Sequence, residues 1–342
     1  MDKHDEDLLQ DSFFRPETRC GYYVSGTMKK VWAVELDLLR KFVEVCEKYD
    51  LQYFMDGGTL LGAVRHQGFI PWDDDVDVIM PRKDYNKLWS IAAGEFTDPY
   101  FFQTTLSEER FFRTHAQLRN SRTTGFVEED REKDVNKGIF LDIFVLDNIP
   151  DNFYRKQLWR IEIELKKKIF AFQYDRNYKN LSCKGKVFYC FVHFLFSIIS
   201  FRKAFAKFNL RTLGRYMDKQ TENVGDVTLD WRANVQWPAV WFGDHVCLPF
   251  ENLMLRAPVF YEGVLTRQYG DYSKLPEDVM APELRSHGIV TFEPEIPYKE
   301  FFEKQMDKNR KAEKGYERCD YHCRRCGKAD GAGNPQTVHK CI

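Results

Sequence analysis

Four carboxylates fall within five residues, Asp73-Asp74-Asp75-Val76-Asp77, beginning fourteen positions after Thr59 of the turn-like stretch Asp56-Gly57-Gly58-Thr59. Like charges at that density repel one another unless cations neutralise them. The Gly-Gly turn follows a short apolar run. Glycine has no Cβ and tolerates unusual φ/ψ, so the backbone there can approach a phosphate closely. If residues 73–79 are extended, side chains alternate, and Asp73, Asp75 and Asp77 share one face. Oxygen donors crowded in this way suit hard divalent cations, Mg²⁺ first and Mn²⁺ as the alternative. A phosphate cradle beside a divalent-cation cage implies chemistry on a nucleotide or a phosphate diester.

A further carboxylate, Asp142, stands in the middle of the apolar run Gly138-Ile139-Phe140-Leu141-Asp142-Ile143-Phe144-Val145. An ionised carboxylate inside such a strand is costly without a cation or hydrogen-bond donors. The plainer reading is a buried salt bridge or a turn contact. For the 73–77 cluster the plainer reading is a solvated acidic loop, but Val76, Val78, Ile79 and Met80 embed it in a strand pattern.

The surrounding chain supplies elements to hold these groups. Val31, Val34, Leu38, Phe42, Val45 and Tyr49 recur at three- and four-residue spacing, which predicts an amphipathic helix over 29–49. A strand over 52–55, a short helix over 59–66 and an acidic strand after Pro71-Trp72 follow. A helix over 83–93 ends near Gly94, and strands are expected within 100–127. Pro150 closes the core, 153–217 reads as helical and basic, and 219–302 is mixed, with prolines marking turns. No internal repeat or low-complexity segment is visible.

The block Met55-Asp56-Gly57-Gly58-Thr59-Leu60-Leu61-Gly62-Ala63-Val64-Arg65-His66, with Gly68-Phe69-Ile70-Pro71-Trp72-Asp73-Asp74-Asp75-Val76-Asp77, resembles the LicD family. That family includes bacterial phosphocholine transferases and, in animals, fukutin-related ribitol-phosphate transferases. Residues Gly138 to Asp147 and Tyr269-Gly270-Asp271-Tyr272 with Pro276 also look like it. The resemblance implies an α/β (α+β) fold with a nucleotidyltransferase-like mixed β-sheet core flanked by helices. It implies a CDP-alcohol donor, with phosphocholine the expected group, a glycan hydroxyl as acceptor and CMP as leaving product. On the matching positions, Asp75, Asp77 and Asp142 would hold Mg²⁺, and Asp73 would complete a second metal site or take the acceptor's proton. Gly57, Gly58 and Thr59 would hold donor phosphate at a helix N-terminus. Arg65, further along that helix, is a phosphate contact or an ordinary solvated charge. Two other function classes stay open: a nucleotidyltransferase acting on a small acceptor, and a non-catalytic protein that binds glycan or membrane.

A chain of 342 residues with 43% hydrophobic and 15% aromatic content can bury a sizeable core. The expected organisation is an N-terminal arm (1–28), a catalytic core (29–150), a basic helical region (151–218), a C-terminal part of the catalytic unit (219–302) and a Cys-rich tail (303–342). The net charge of −1 conceals a division. Residues 155–215 hold 15 Lys or Arg and 3 Asp or Glu, a net of +12, so the remainder carries −13. A basic block of this kind seeks an anionic partner. Within it Val187 to Phe201 is mostly apolar, flanked by Lys184 and Lys186 before and Arg202, Lys203 and Lys207 after. These fifteen residues fall short of the roughly 20 that span a bilayer. The segment is an interfacial helix on anionic lipid, which gives residues 184–207 a membrane partner, or a core helix of a helical subdomain. No nucleic-acid partner is expected.

The acidic start Met1-Asp2-Lys3-His4-Asp5-Glu6-Asp7 has no apolar stretch behind it, so a cytoplasmic location is expected, peripheral to the membrane if the basic helix binds lipid. Nine cysteines then read as thiols or metal ligands rather than a disulfide framework. In the tail, Cys319, Cys323 and Cys326 with His339 or Cys341 have spacing suited to a structural Zn²⁺. The alternative is a set of free thiols.

Overall fold

The computed structural model describes residues 9–108, 110–111, 113–174, 182–227, 235–279 and 289–307. The chain divides into two units, residues 1–297 and 298–342, and residues 298–307 of the second are helical. The cysteine and histidine positions of the expected zinc site, 319–341, lie outside the described residues.

In chain order the first unit contains β1 (Glu17–Arg19), β2 (Tyr22–Val24), α1 (Gly26–Lys48), β3 (Phe54–Met55), α2 (Gly57–His66), β4 (Asp77–Pro81) and α3 (Arg82–Glu95). Next come β5 (Tyr100–Gln103), β6 (Ala116–Asn120), β7 (Thr124–Val127) and β8 (Ile139–Ile149). Three helices follow, α4 (Phe153–Tyr174), α5 (Cys183–Ser197) and α6 (Ile199–Leu213). The remainder is β9 (Asn223–Gly225), β10 (Gln236–Pro238), β11 (His245–Phe250), β12 (Leu253–Pro258), α7 (Tyr261–Tyr269) and β13 (Ile289–Glu293). The fold is mixed α/β, as the resemblance implied.

The central sheet runs β10-β9-β8-β4-β3, with β6 also on β8 and β5 on β6. β8 is its spine. It pairs parallel with β4 over Asp142–Leu146, antiparallel with β6 over Ile139–Ile143, and antiparallel with β9 over Asp147–Ile149. Its sequence, IFLDIFVLDNI, is a near-continuous apolar run, the pattern of a strand buried on both faces.

Helix α1 begins three residues earlier than periodicity indicates, because the Ser25 hydroxyl accepts the Met28 N–H at 3.1 Å and caps it. Its buried face, from Val31 through Trp32, Leu36, Leu39, Phe42 and Val45, lies in the main core. The Trp32 ring stacks on Phe69 with centroids 4.6 Å apart, and its indole Nε1 donates to the Asp73 carbonyl at 3.3 Å. One residue thus fastens α1 to the acidic segment.

That segment departs from expectation. Residues 73–76 lie outside any strand, and β4 starts only at Asp77. Residues 73–75 are held by long-range contacts instead of a ladder, and Val76 joins it only through its carbonyl, which accepts the Asp142 N–H at 3.0 Å, so period-2 alternation does not apply to the segment. Similarly α2 opens at Gly57, not Thr59, with Asp56 in extended conformation as its N-cap.

At the other end of β4, Arg82 opens α3 and donates from Nε and Nη2 to both oxygens of Asp147 in β8, each at 2.7 Å. Both side chains are 2% exposed. A two-bond Arg–carboxylate fork locks the helix onto the sheet spine. Replacing one partner strands the other charge inside the protein. Arg82→Met is therefore expected to cost about 3–5 kcal/mol of stability. Urea unfolding of the variant and the wild type checks this, and an unchanged midpoint would show that the fork does not stabilise the fold.

Candidate active site at the carboxyl cluster

The site assembles where β3, β4, β6 and β8 lie side by side. In the parallel register Asp77 of β4 sits directly opposite Asp142 of β8, and Gln117 of β6 sits opposite Asp142 on the other side. Neighbouring strands are about 4.8 Å apart, so the three side chains form a row on one face of the sheet. Asp56 ends β3 with its N–H on the Asp77 carbonyl at 3.2 Å.

The glycines explain themselves at this point. Gly57 has φ +50°, the left-handed region that favours glycine, and a Cβ there would stand 3.2 Å from Asp77 Oδ2. A Cβ on Gly58 would stand 2.3 Å from Asp73 Oδ2. The Gly-Gly turn is thus a bare backbone surface against which two carboxylates rest. Thr59 Oγ1 accepts the Asp77 N–H at 2.8 Å, pinning the start of β4 to the first turn of α2.

The structure brings together Gly57, Gly58, Thr59, Asp73, Asp75, Asp77 and Asp142. Asp77, half-buried, has a pKa raised well above the ordinary carboxylate value, by desolvation first and then by Asp75, Asp142, Asp56 and Asp73. Asp142 behaves oppositely. Burial works against its charge, but His115 outweighs that with help from Arg113 and Gln117, and its pKa is lowered. His115 Nε2 lies 3.1 Å from Asp142 Oδ1, and Gln117 Nε2 donates to the same oxygen at 2.7 Å. Two carboxylates in adjacent register positions are thereby pushed to opposite protonation tendencies.

Asp74 joins the group as well. Among the described residues, Asp73, Asp74 and Asp75 form the set whose oxygens all lie within 4.8 Å of one another. Such a donor set fits a hard divalent cation. Glu35 of α1 faces the same three aspartates. It is 1% exposed, its Oε2 has no hydrogen-bond partner, and desolvation followed by Asp75, Asp74 and Asp73 raises its pKa well above the usual value.

Arg65 stands at the far end of α2. It occupies the last turn of α2, eight residues from Gly57, which is about 12 Å along the helix axis. Its guanidinium donates to the Lys274 carbonyl at 3.2 Å and stands over the Trp72 ring. It thereby ties α2 to the segment after α7.

Several site residues were not legible beforehand. His115, Gln117 and Arg113 come from the β6 region and support Asp142. Behind Gln117, buried Arg119 donates to Gln117 Oε1 at 2.5 Å and to the Gly138 carbonyl at 2.7 Å. Asp56 is pushed up to about 6 by desolvation, opposed by the Gly57 N–H, and Gln268 of α7 donates to it at 3.4 Å. Tyr269 of α7 places its hydroxyl 3.9 Å from the position of a Gly57 Cβ. The available signals were Asp56 and Tyr269, which stand in the motifs that carry the resemblance, and the polar pair Gln117 and Arg119 inside an otherwise strand-like run.

Residues 50–168 match the family described as LicD/FKTN/FKRP, nucleotidyltransferase domain. The chain is similar to lipopolysaccharide cholinephosphotransferase LicD of Haemophilus influenzae, 30% identical over 261 residues, which covers 74% of this chain and 93% of that protein. It is also similar to ribitol 5-phosphate transferase FKRP of mouse, 36% identical over 85 residues, 24% of this chain and 17% of that one. The human FKRP match is 51% identical over 56 residues, 16% of this chain and 11% of that one.

Thr59 supplies a test at the level of the fold of the site. Thr59→Val leaves the Asp77 N–H without an acceptor and is expected to cost about 1–3 kcal/mol, whereas Thr59→Ser restores the bond. Equal unfolding midpoints for all three proteins would show that the hydroxyl does not hold β4.

Proposed function

This chain belongs to the LicD/FKTN/FKRP nucleotidyltransferase family, and on that premise we propose that it is a divalent-cation-dependent transferase of phospho-alcohols. The donor is a CDP-alcohol, with CDP-choline the first candidate, and the acceptor is a hydroxyl of a cell-surface glycan. The supporting observation is the register that sets Asp77 opposite Asp142 beside the Gly57-Gly58 cradle. The similarity to a lipopolysaccharide cholinephosphotransferase over 93% of its length supports the choline donor.

In the proposed reaction the acceptor oxygen bonds to the phosphorus that carries the alcohol. The bond from that phosphorus to the bridging oxygen breaks, and CMP leaves with the electron pair. Such transfers depend on positioning and charge neutralisation more than on covalent participation of the protein. Asp75, Asp77 and Asp142 are the residues that would hold Mg²⁺ or Mn²⁺. When bound, the cation neutralises charge on the diphosphate. Gln117 donates to Asp142 and His115 stands beside it, which favours its charged form and orients it for this role. Gly57 and Gly58 open α2, whose N-terminal N–H groups would face the donor phosphates, and they give Asp77 and Asp73 room beside that turn. Asp73, resting against Gly58 and beside Asp74 and Asp75, would either complete a second cation site or take the acceptor proton.

Asp75→Asn, Asp77→Asn and Asp142→Asn are each expected to remain folded and to lower turnover by several orders of magnitude, since Asn keeps the shape and removes the charge. CMP release from a panel of CDP-alcohols, with and without Mg²⁺, measures this. Mg²⁺ should also raise the wild-type melting temperature and not that of Asp77→Asn. Wild-type rates in all three variants would refute the assignment. Transfer of a nucleotide to the acceptor, instead of CMP release, would identify a nucleotidyltransferase. Gly58→Ala displaces the Asp73 carboxylate and is expected to lower the rate by on the order of a hundredfold.

The zinc reading of the tail is a separate proposal. Protein purified without chelator should carry about one zinc per chain, and Cys323→Ser should release it. Background zinc with freely alkylated thiols would refute it.

A further inference from the structure

The basic helical region is unusual in what it leaves uncovered. On α4, Tyr154, Leu158, Ile161 and Leu165 recur at spacings of four, three and four, so they line one face of the helix. All four are between 58% and 75% exposed. A different face of α4 is inside: Trp159 and Ile163 are buried with Ile149, Leu213 and Val227 in a small core of their own. Trp159 Nε1 donates to the Thr212 carbonyl at 2.7 Å, which anchors α4 to α6.

α5 repeats the arrangement. Val187, Phe188, Phe191 and Phe194 are each at least 54% exposed, and among its described side chains Val192 is the buried one. A core helix would bury that set, so the core-helix reading of this segment does not hold. The apolar run is also not one continuous helix, because α5 ends at Ser197 and α6 begins at Ile199. Among the described residues no helix is long and apolar enough to cross a membrane. α5 packs on both α4 and α6, and Phe208 of α6 adds a further exposed ring.

Charge surrounds these stripes. Glu162 and Glu164 are engaged by Lys166, Arg215 and Lys167. Arg155, Arg160, Lys168, Lys184, Lys186, Lys203, Lys207 and Arg211 form no ion pair among the described residues. Exposed apolar patches far larger than scattered single residues mark interaction surfaces. Aliphatic and aromatic side chains with cations beside them match the interfacial layer of an anionic bilayer, which offers acyl chains below and phosphates at the surface. A second copy of the same surface fits poorly, because two blocks of net +12 repel each other.

We propose that α4, α5 and α6 form a docking surface for anionic lipid bilayers, seated parallel to the membrane with the exposed stripes of α4 and α5 in the headgroup–acyl boundary. This surface is separate from the carboxyl cluster and stands whether or not the donor is a CDP-alcohol. It would deliver the catalytic unit to an acceptor displayed on a lipid.

The experiment uses the full chain with vesicles of phosphatidylcholine alone and with about 30% phosphatidylserine, at low and high salt. Co-sedimentation is expected with the anionic vesicles and should weaken steeply with salt. Lys184→Glu, Lys186→Glu, Lys203→Glu and Lys207→Glu combined should lower partitioning by about a hundredfold or more. Leu158→Ser, Ile161→Ser, Phe191→Ser and Phe194→Ser combined should lower it to a similar extent. Both variants change exposed side chains, so their melting temperatures and their CMP release with a soluble acceptor should match wild type. Absence of wild-type binding to anionic vesicles at low salt would overturn the proposal. So would binding indifferent to both variants, or a wild-type dimer that the apolar variant dissociates. Vesicle binding by a protein that releases no CMP from any donor would leave this surface intact and remove the donor assignment.

Discussion

The parallel pairing of β4 with β8 is the constraint on which the site depends. It sets Asp77 against Asp142 in one register step, and a slip of one residue would turn Asp142 to the other face of the sheet. Much of the surrounding structure serves to prevent that slip. The Arg82–Asp147 fork fastens the far end of β4 to β8, and Thr59 Oγ1 holds the near end through the Asp77 N–H. Between them, Val78 to Met80 and Ile143 to Val145 fill the core.

Holding that register concentrates negative charge in a poorly solvated place. Asp56, Asp73, Asp74 and Asp142 are buried, and Glu35 approaches from α1. Desolvation first, and then the neighbouring carboxylates, raise the pKa of Asp77 and Glu35, while His115 and Gln117 help to lower that of Asp142. A divalent cation or a bound phosphate with its counterion changes this balance directly. Under the proposed function these are the groups that would hold a divalent cation, and an extensive core carries their cost in stability. Trp32 illustrates the coupling, since its ring is in the core while its indole N–H holds the acidic segment at Asp73.

The helical arm obeys a different rule. Its inner face is only Trp159, Ile163, Leu213 and their neighbours, and its outer faces are apolar and basic. A helix with apolar residues all round normally belongs in a core, but here the core is too small to cover them. The arm joins the sheet where β8 ends, near Ile149, so it extends the spine of the catalytic unit without touching the register that builds the site.

The amino-acid sequence by itself determined the family, the class of fold and which carboxyl and glycine residues stand together. Carboxylate spacing, the Gly-Gly turn and the apolar runs around Asp77 and Asp142 are local properties, and local properties survive in a linear reading. It also identified α1, α2, α3 and the strand about Asp142 to within a few residues. What it left open was decided by contacts between distant segments. Periodicity indicated an extended strand from residue 73, but Trp32 and the turn after Ile70 hold residues 73–76 outside the ladder, and Asp74 consequently joins the cluster. His115, Gln117, Asp56 and Gln268 enter the site through strand pairing and the return of α7, which no spacing rule encodes. Arg65 shares the helix of the glycine turn yet lies at its other end, bound to residues more than two hundred positions away. Whether α5 is covered was likewise undecidable from its own hydrophobicity, because burial depends on how many neighbours the fold brings to a helix, and among the described residues α5 packs mainly on α4 and α6, over part of its surface.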